Sequence, residues 1–211
     1  MLMNRVETAL VNSPPRRALQ RFYETPTLLR LGGMLPTDAR VLEVGCGAGY
    51  GTELILRRFT AARVDALDLD PAMVTRAKRR LAGYGDRVRL ATGDMTDLRT
   101  ALGAENDSYD AVFDFAIVHH VPDWRAALGE IVRVLKPGGR FYFDEVTAAA
   151  LSTRGYRWLF DHPTEDRFTA QDFVAELERQ GLQVGTRWRT RIRGHYLLGV
   201  AQRPGGGTAP P

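Results

Sequence analysis

The chain has 211 residues, 44% hydrophobic and 26% charged, with 29 basic against 25 acidic side chains and a formal net charge of +4. That is enough chain for one sizeable core, and its single cysteine, Cys46, excludes an internal disulfide and a cysteine-built zinc site, so no metal centre is expected. No apolar run reaches the roughly 18–20 residues of a membrane-spanning helix, Met1 to Val11 lacks the layout of a signal peptide, and a cytoplasmic protein is expected; the mild basic excess permits an acidic substrate or a membrane surface without establishing either.

Two short helices are predicted at Arg5–Val11 and Arg16–Phe22, broken at Pro14-Pro15, with a third near Thr27–Met34. Pro36-Thr37-Asp38 makes the turn into a first strand, Arg40–Val44. Strand-like and helix-like segments then alternate: helix Tyr50–Phe59, strand Arg63–Leu67, helix from Pro71 to about Leu81 with Asp70 as N-cap, strand Arg87–Ala91. A short helix or loop near Asp97 follows, then strand Asp110–Asp114, helix Asp123 to Leu135, and strand Arg140–Glu145. Such alternation makes a mostly parallel sheet with helices on both faces. The segment 147–168 has no clean period but carries Tyr156, Trp158, Phe160 and Phe168, and is expected to form a lid or acceptor pocket. Thr169 caps a helix Ala170–Gln180 that ends at Gly181. Two strands, Gln183–Thr190 and His195–Gln202, turn around Arg193-Gly194. Residues 204–211 read as a disordered Pro/Gly-rich tail. One domain spans 1–203, with 1–38 as a helical cap.

Chemistry concentrates at Val41-Leu42-Glu43-Val44-Gly45-Cys46-Gly47-Ala48-Gly49-Tyr50-Gly51-Thr52. An apolar strand enters a turn in which every second residue is glycine, and a helix begins. Glycine lets backbone approach a ligand closely, and free N–H groups at the helix start face it. The dinucleotide spacing G-x-G-x-x-G fails in both registers, because Tyr50 and Thr52 stand where glycine is required. Glu43 suits a ligand bearing positive charge better than a pyrophosphate. Asp68, about twenty residues on, is placed to accept ribose hydroxyls; Asp70 and Asp65 are the competing acids.

These residues resemble motif I (E/D-x-G-x-G-x-G) of the class I S-adenosylmethionine-dependent methyltransferases. The resemblance runs from about Thr37 to Arg203 and is most similar to the small-molecule enzymes of ubiquinone/menaquinone biosynthesis and secondary metabolism. It implies a Rossmann-like α/β fold, a seven-stranded sheet in the order 3-2-1-4-5-7-6 with strand seven antiparallel. It implies S-adenosyl-L-methionine as methyl donor, with S-adenosyl-L-homocysteine as product. The implied cofactor residues are Glu43, Gly45, Cys46, Gly47, Gly49, Asp68, Leu69, Asp94, Met95, Phe115 and Tyr23. Asp94 is implied to accept the adenine amino group, although an Asx turn would also explain it. The stretch Asp114 to Asp123, with His119-His120-Val121-Pro122-Asp123, resembles the family's motif after strand four. It does not resemble the (N/D)-P-P-(Y/F) motif of enzymes that methylate exocyclic amines of DNA bases or glutamine amides, so a nucleic-acid partner is not expected. Lys136-Pro137-Gly138-Gly139 is a further resemblance.

An acceptor O–H or N–H must lose a proton during transfer, and histidine suits that task. Of the four histidines, His119 and His162 are the candidate bases; His120 and His195 read as structural. Arg187, Arg189, Arg191 and Arg193 share one strand face by period two, as a solvated edge or an anion-facing surface. The expectation is a small-molecule methyltransferase acting as a monomer or homodimer. An RNA or protein methyltransferase, a non-catalytic adenosine-binding subunit and an NAD-dependent oxidoreductase are the alternatives.

Overall fold

A computed structural model describes residues 4–152 and 166–205. Its centre is a seven-stranded sheet in the order β3-β2-β1-β4-β5-β7-β6. The strands are β1 (Arg40–Val44), β2 (Arg63–Asp68), β3 (Val88–Thr92), β4 (Tyr109–Phe115), β5 (Leu135–Val146), β6 (Trp188–Arg191) and β7 (Tyr196–Gln202). The first five pair in parallel, and β7 is antiparallel to both β5 and β6. This is the topology expected from the sequence. Among the described residues no helix is long and apolar enough to cross a membrane.

Side chains alternate across the sheet and build two cores. Leu42, Val44, Val112, Phe141 and Phe143 face one side, with Ile131 and Phe173 from helices above them. Val41, Val64, Ala66, Phe113 and Tyr142 face the other, with Leu28 and Ile55. Phe113 and Tyr142 stack with ring centroids 4.4 Å apart, and Phe59 meets both edge-on. Glu43 shares the second face with Val41, so its carboxylate is enclosed by the sheet and the helix after the glycine turn.

The helices in chain order are α1 (Arg5–Val11), α2 (Pro14–Leu19), α3 (Thr25–Gly32), α4 (Tyr50–Arg58), α5 (Pro71–Leu81), α6 (Leu98–Leu102), α7 (Trp124–Val134), α8 (Ala148–Leu151) and α9 (Ala170–Arg179). The N-terminal segment departs from expectation. Pro14 and Pro15 do not interrupt a helix but begin one: Ser13 caps α2 through the Arg16 N–H, and the prolines occupy the first turn, where no donor is needed. From there the helix continues without a break through a wide π turn, Gln20–Glu24, into α3. The π turn swings Gln20 and Glu24 inward, where both are buried.

Two other boundaries move for local reasons. Strand β5 starts directly at Leu135, but its pairing with β4 jumps from Tyr109↔Leu135 to Ala111↔Arg140, so Lys136 to Gly139 bulges out. Strand β6 is shorter than expected: Gln183 makes an isolated bridge to Gln202, and Gly185 at φ +56 turns the chain before Trp188. Residues 153–165, with His162 and most of the expected lid, lie outside the described residues, as do 206–211.

Candidate functional site

The tips of β1, β2 and β3 are laced together at their C-terminal ends. The Cys46 N–H donates to the Leu67 carbonyl at 2.9 Å, and the Gly93 N–H to the Asp68 carbonyl at 3.1 Å. The Asp68 carboxylate accepts the Gly47 N–H at 2.7 Å through one oxygen and the Asp70 N–H at 2.9 Å through the other. Asp68 therefore fixes the glycine turn to the second strand. Asp70 caps α5 through the Ala72 N–H, as expected. Asp65 is spent on Arg40, Arg89 and the Tyr109 hydroxyl, away from the turn.

Two glycines of the turn serve different ends. Gly45, at φ +67, packs so tightly on Ile117 that any Cβ would collide with that side chain. Gly47, at φ +52, has open space where its Cβ would stand. Gly47 also lines a cleft with a cavity volume of about 100 Å³. Its walls include Gly45, Gly47, Asp68, Leu69, Asp94, Met95, Ile117 and His120, with Thr8 and Val11 from α1 and Asn12 just after it. Asn12 also reaches the Met73 sulfur at 3.8 Å, which ties α1 to α5 across the opening.

Asp94 satisfies both of its readings. One of its oxygens accepts the Thr96 N–H and hydroxyl in an Asx turn, at 2.9 and 2.8 Å, and the residue still lines the cleft. Glu43 does not reach the cleft wall. It is 1% exposed, accepts the Thr52 hydroxyl, and lies where a side chain at Gly51 would stand. Burial pushes its carboxyl up to about 8, with Thr52 opposing and Asp68 and Asp114 adding to the rise. The three acids expected together thus divide: Asp68 and Asp94 meet at the cleft, and Glu43 sits behind the turn. Cys46 is buried, and burial holds its thiol well above the usual range. Gly49 caps α4 in a left-handed conformation. Phe115 stacks on Phe113 on the Glu43 side. Tyr23 accepts a hydrogen bond from Arg191, whose guanidinium lies 4.7 Å from its ring centre.

The histidines arrange differently from expectation. His120 lines the cleft, while His119 faces a separate small cavity with Val121, Trp124 and Phe168. The two rings are 4.2 Å apart. His119 Nδ1 is 2.6 Å from Glu145 Oε2, and burial, with the like charge of Arg16 adding to it, takes the imidazole down to about 3. It is a neutral ring that shares a hydrogen bond with Glu145. We expect nitrogen-15 NMR to show no His119 titration above pH 5; a midpoint near the ordinary ~6.5 would contradict this placement.

Sequence reasoning missed the acids beneath the His-His turn. Glu145 accepts the N–H groups of Ile117, Val118 and His119 at 3.1, 2.6 and 3.3 Å, and Asp114 accepts that of Ile117 at 3.0 Å. These bonds hold the turn that presents Ile117 and His120 to the cleft. Burial raises both carboxyls, Asp114 well above its ordinary range and Glu145 to about 7. Nearby, Arg16 bridges Glu24 at 2.5 Å and Asp144 at 3.5 Å. The available signal was an acidic pair, Asp144-Glu145, ending an otherwise apolar strand.

A methyltransferase-domain family model matches residues 41–139. The chain is 30% identical over 175 residues to the ubiquinone biosynthesis O-methyltransferase of Xanthomonas axonopodis, across 75% of this chain and 71% of that protein. The chain belongs to the class I S-adenosylmethionine-dependent methyltransferase family. It is also 38% identical over 168 residues to the malonyl-[acyl-carrier protein] O-methyltransferase of Halorhodospira halophila, across 74% of this chain but 55% of that protein. The methyltransferase fold itself is shared more widely: the [4+2]-cyclase SpnF superposes with a TM-score of 0.71 at 20% identity, over 92% of this chain and 85% of that one.

Proposed function

We propose that this chain transfers a methyl group from S-adenosylmethionine to a small-molecule acceptor by in-line displacement. The observation that carries the reading is the meeting of Asp68, Asp94 and the side-chain-free face of Gly47 on one cleft wall. The space at Gly47, which any other residue would fill, fits close approach of a ligand to backbone. The cofactor would supply a methyl carbon already activated by its sulfonium. In this reading Asp68 receives the ribose hydroxyls, Asp94 the adenine amino group, and Leu69 and Met95 the ring faces. Gly45, Cys46, Gly47 and Gly49 shape the turn around the methionine part, Phe115 and Glu43 back it, and Tyr23 closes the acceptor side. Positioning of the reacting groups can contribute roughly 7–11 kcal/mol of barrier reduction. His119 points away from the cleft, so His120 is the imidazole on its wall; His162 stays a candidate base on sequence grounds alone.

Relatives named for ubiquinone biosynthesis and for malonyl-[acyl-carrier protein] support a small or carrier-borne acceptor. Calorimetry with S-adenosylhomocysteine and with NADH tests the cofactor. We expect the first to bind and the second not to; the reverse, or silence toward S-adenosylhomocysteine at millimolar concentration, overturns the reading. Transfer of labelled methyl to phenolic and carboxylate acceptors then tests the reaction.

Glu43 adds a pH signature. Its carboxyl, raised to about 8, is protonated at neutral pH, and a cationic ligand in the cleft, across the glycine turn from it, favours its ionised form. Binding then releases a proton, so affinity rises as pH climbs from 6 to 7.5, by up to about tenfold per pH unit. Calorimetry in buffers of different ionisation enthalpy reads the released proton. Glu43→Gln is expected to remove the dependence.

A further inference from the structure

Among the described residues, six of the eight exposed large hydrophobic side chains fall between Val6 and Met34, although that segment is a small part of the chain. A seventh, Ile192, is 66% exposed at the tip of the β6–β7 hairpin, and Phe22 on the π turn is 72% exposed. The two segments are joined by a contact: Arg191, beside Ile192, lies over the ring of Tyr23, beside Phe22. Leu19, one turn before Phe22, is 47% exposed. Isolated apolar side chains need no explanation, but a grouping of this kind marks an interaction surface.

The charge around them is mainly basic, and Glu53 beside Arg21 is paired with Arg57 and Arg80. No acidic residue follows Glu178 in the sequence, whereas Arg187, Arg189, Arg191 and Arg193 fill the hairpin. The acid nearest Phe22 in the sequence, Glu24, is buried against Arg16. Arg21 lies 5.4 Å from the Phe22 ring centre, and among the described residues Arg21, Arg189 and Arg193 form no ion pair. The hairpin tip lies where β5 ends, since Tyr196 pairs with Val146, and the cleft opens at this same C-terminal end of the parallel strands.

We propose that Leu19, Phe22 and Ile192, with Arg21, Arg189 and Arg193, form a docking face for an anionic lipid bilayer. Protruding apolar side chains enter the interface while arginines meet lipid phosphates. These side chains project from two separate elements, which suits a fluid surface better than a fixed protein shape. The proposal stands independently of methyl transfer, because it is measured without cofactor.

The test is co-sedimentation of the 211-residue chain with phosphatidylcholine vesicles, with and without about one-third phosphatidylglycerol. Binding is expected to the anionic vesicles only and to weaken with salt. Phe22→Ser with Ile192→Ser, and separately Arg189→Gln with Arg193→Gln, are each expected to lower partitioning about tenfold or more. Lys78→Gln with Arg79→Gln, exposed on α5 beside β3 at the opposite edge of the sheet, is expected to leave it unchanged. Thermal melts matching the parent chain confirm that each variant is folded. No anionic-vesicle binding, equal binding to neutral vesicles, or an equal loss in the α5 variant overturns the proposal. So does capture of an acidic carrier protein by this face in the absence of vesicle binding.

Discussion

Gly47→Val is expected to abolish binding of S-adenosylhomocysteine, with affinity lower by more than about 100-fold, or about 3 kcal/mol. Two effects add. Gly47 sits at φ +52, a conformation that costs a β-branched residue roughly 1–3 kcal/mol. The new side chain would also fill the space where the ligand meets backbone. Because no atom lies within 4 Å of its Cβ position, Gly47→Ala serves as the graded control: it should fold, lose about 1 kcal/mol of stability, and still bind weakly. A folded Gly47→Val that binds at parental affinity would move the ligand away from this turn. The contrast with Gly45→Ala is informative, since there the collision is with Ile117 and the expected loss is in stability first.

Asp68→Ala is expected to weaken binding by roughly 1–3 kcal/mol through lost ribose hydrogen bonds, about 5- to 150-fold. The structure adds a second loss. The same carboxylate holds the Gly47 and Asp70 N–H groups, so its removal frees the glycine turn from β2. Asp68→Asn keeps one acceptor oxygen and should fall between the parent and the alanine variant in both affinity and melting temperature. Unchanged calorimetric affinity in Asp68→Ala would reject the ribose assignment, and an unchanged melting temperature would show that the turn holds itself.

Much of this site was legible because its signals are local. Asp70 before Pro71, the alternating glycines and the acid at the end of β2 each announce themselves within a few residues, and the strand order is the one that the resemblance to class I methyltransferases implied. What was not legible depends on burial from a distance. Glu43 reads as a ligand contact, yet Gly51 and Thr52 from the next helix close over it. His119 and His120 are adjacent, and the contact that marks His119 as the inward ring comes from Glu145, on β5. Pro14-Pro15 looked like a break because proline both stops helices and starts them; the capping bond from Ser13, visible only in three dimensions, settles which.

The π turn at residues 20–24 sets the angular phase between the chain before it and the chain after it. An α-helix rotates by about 100° per residue. Deleting one residue there would restore regular winding and swing Arg16 round the axis, away from Asp144. The covering helices and the sheet tips are thus keyed to one another by a single surplus residue, and a one-residue deletion in this stretch is expected to cost more than a substitution.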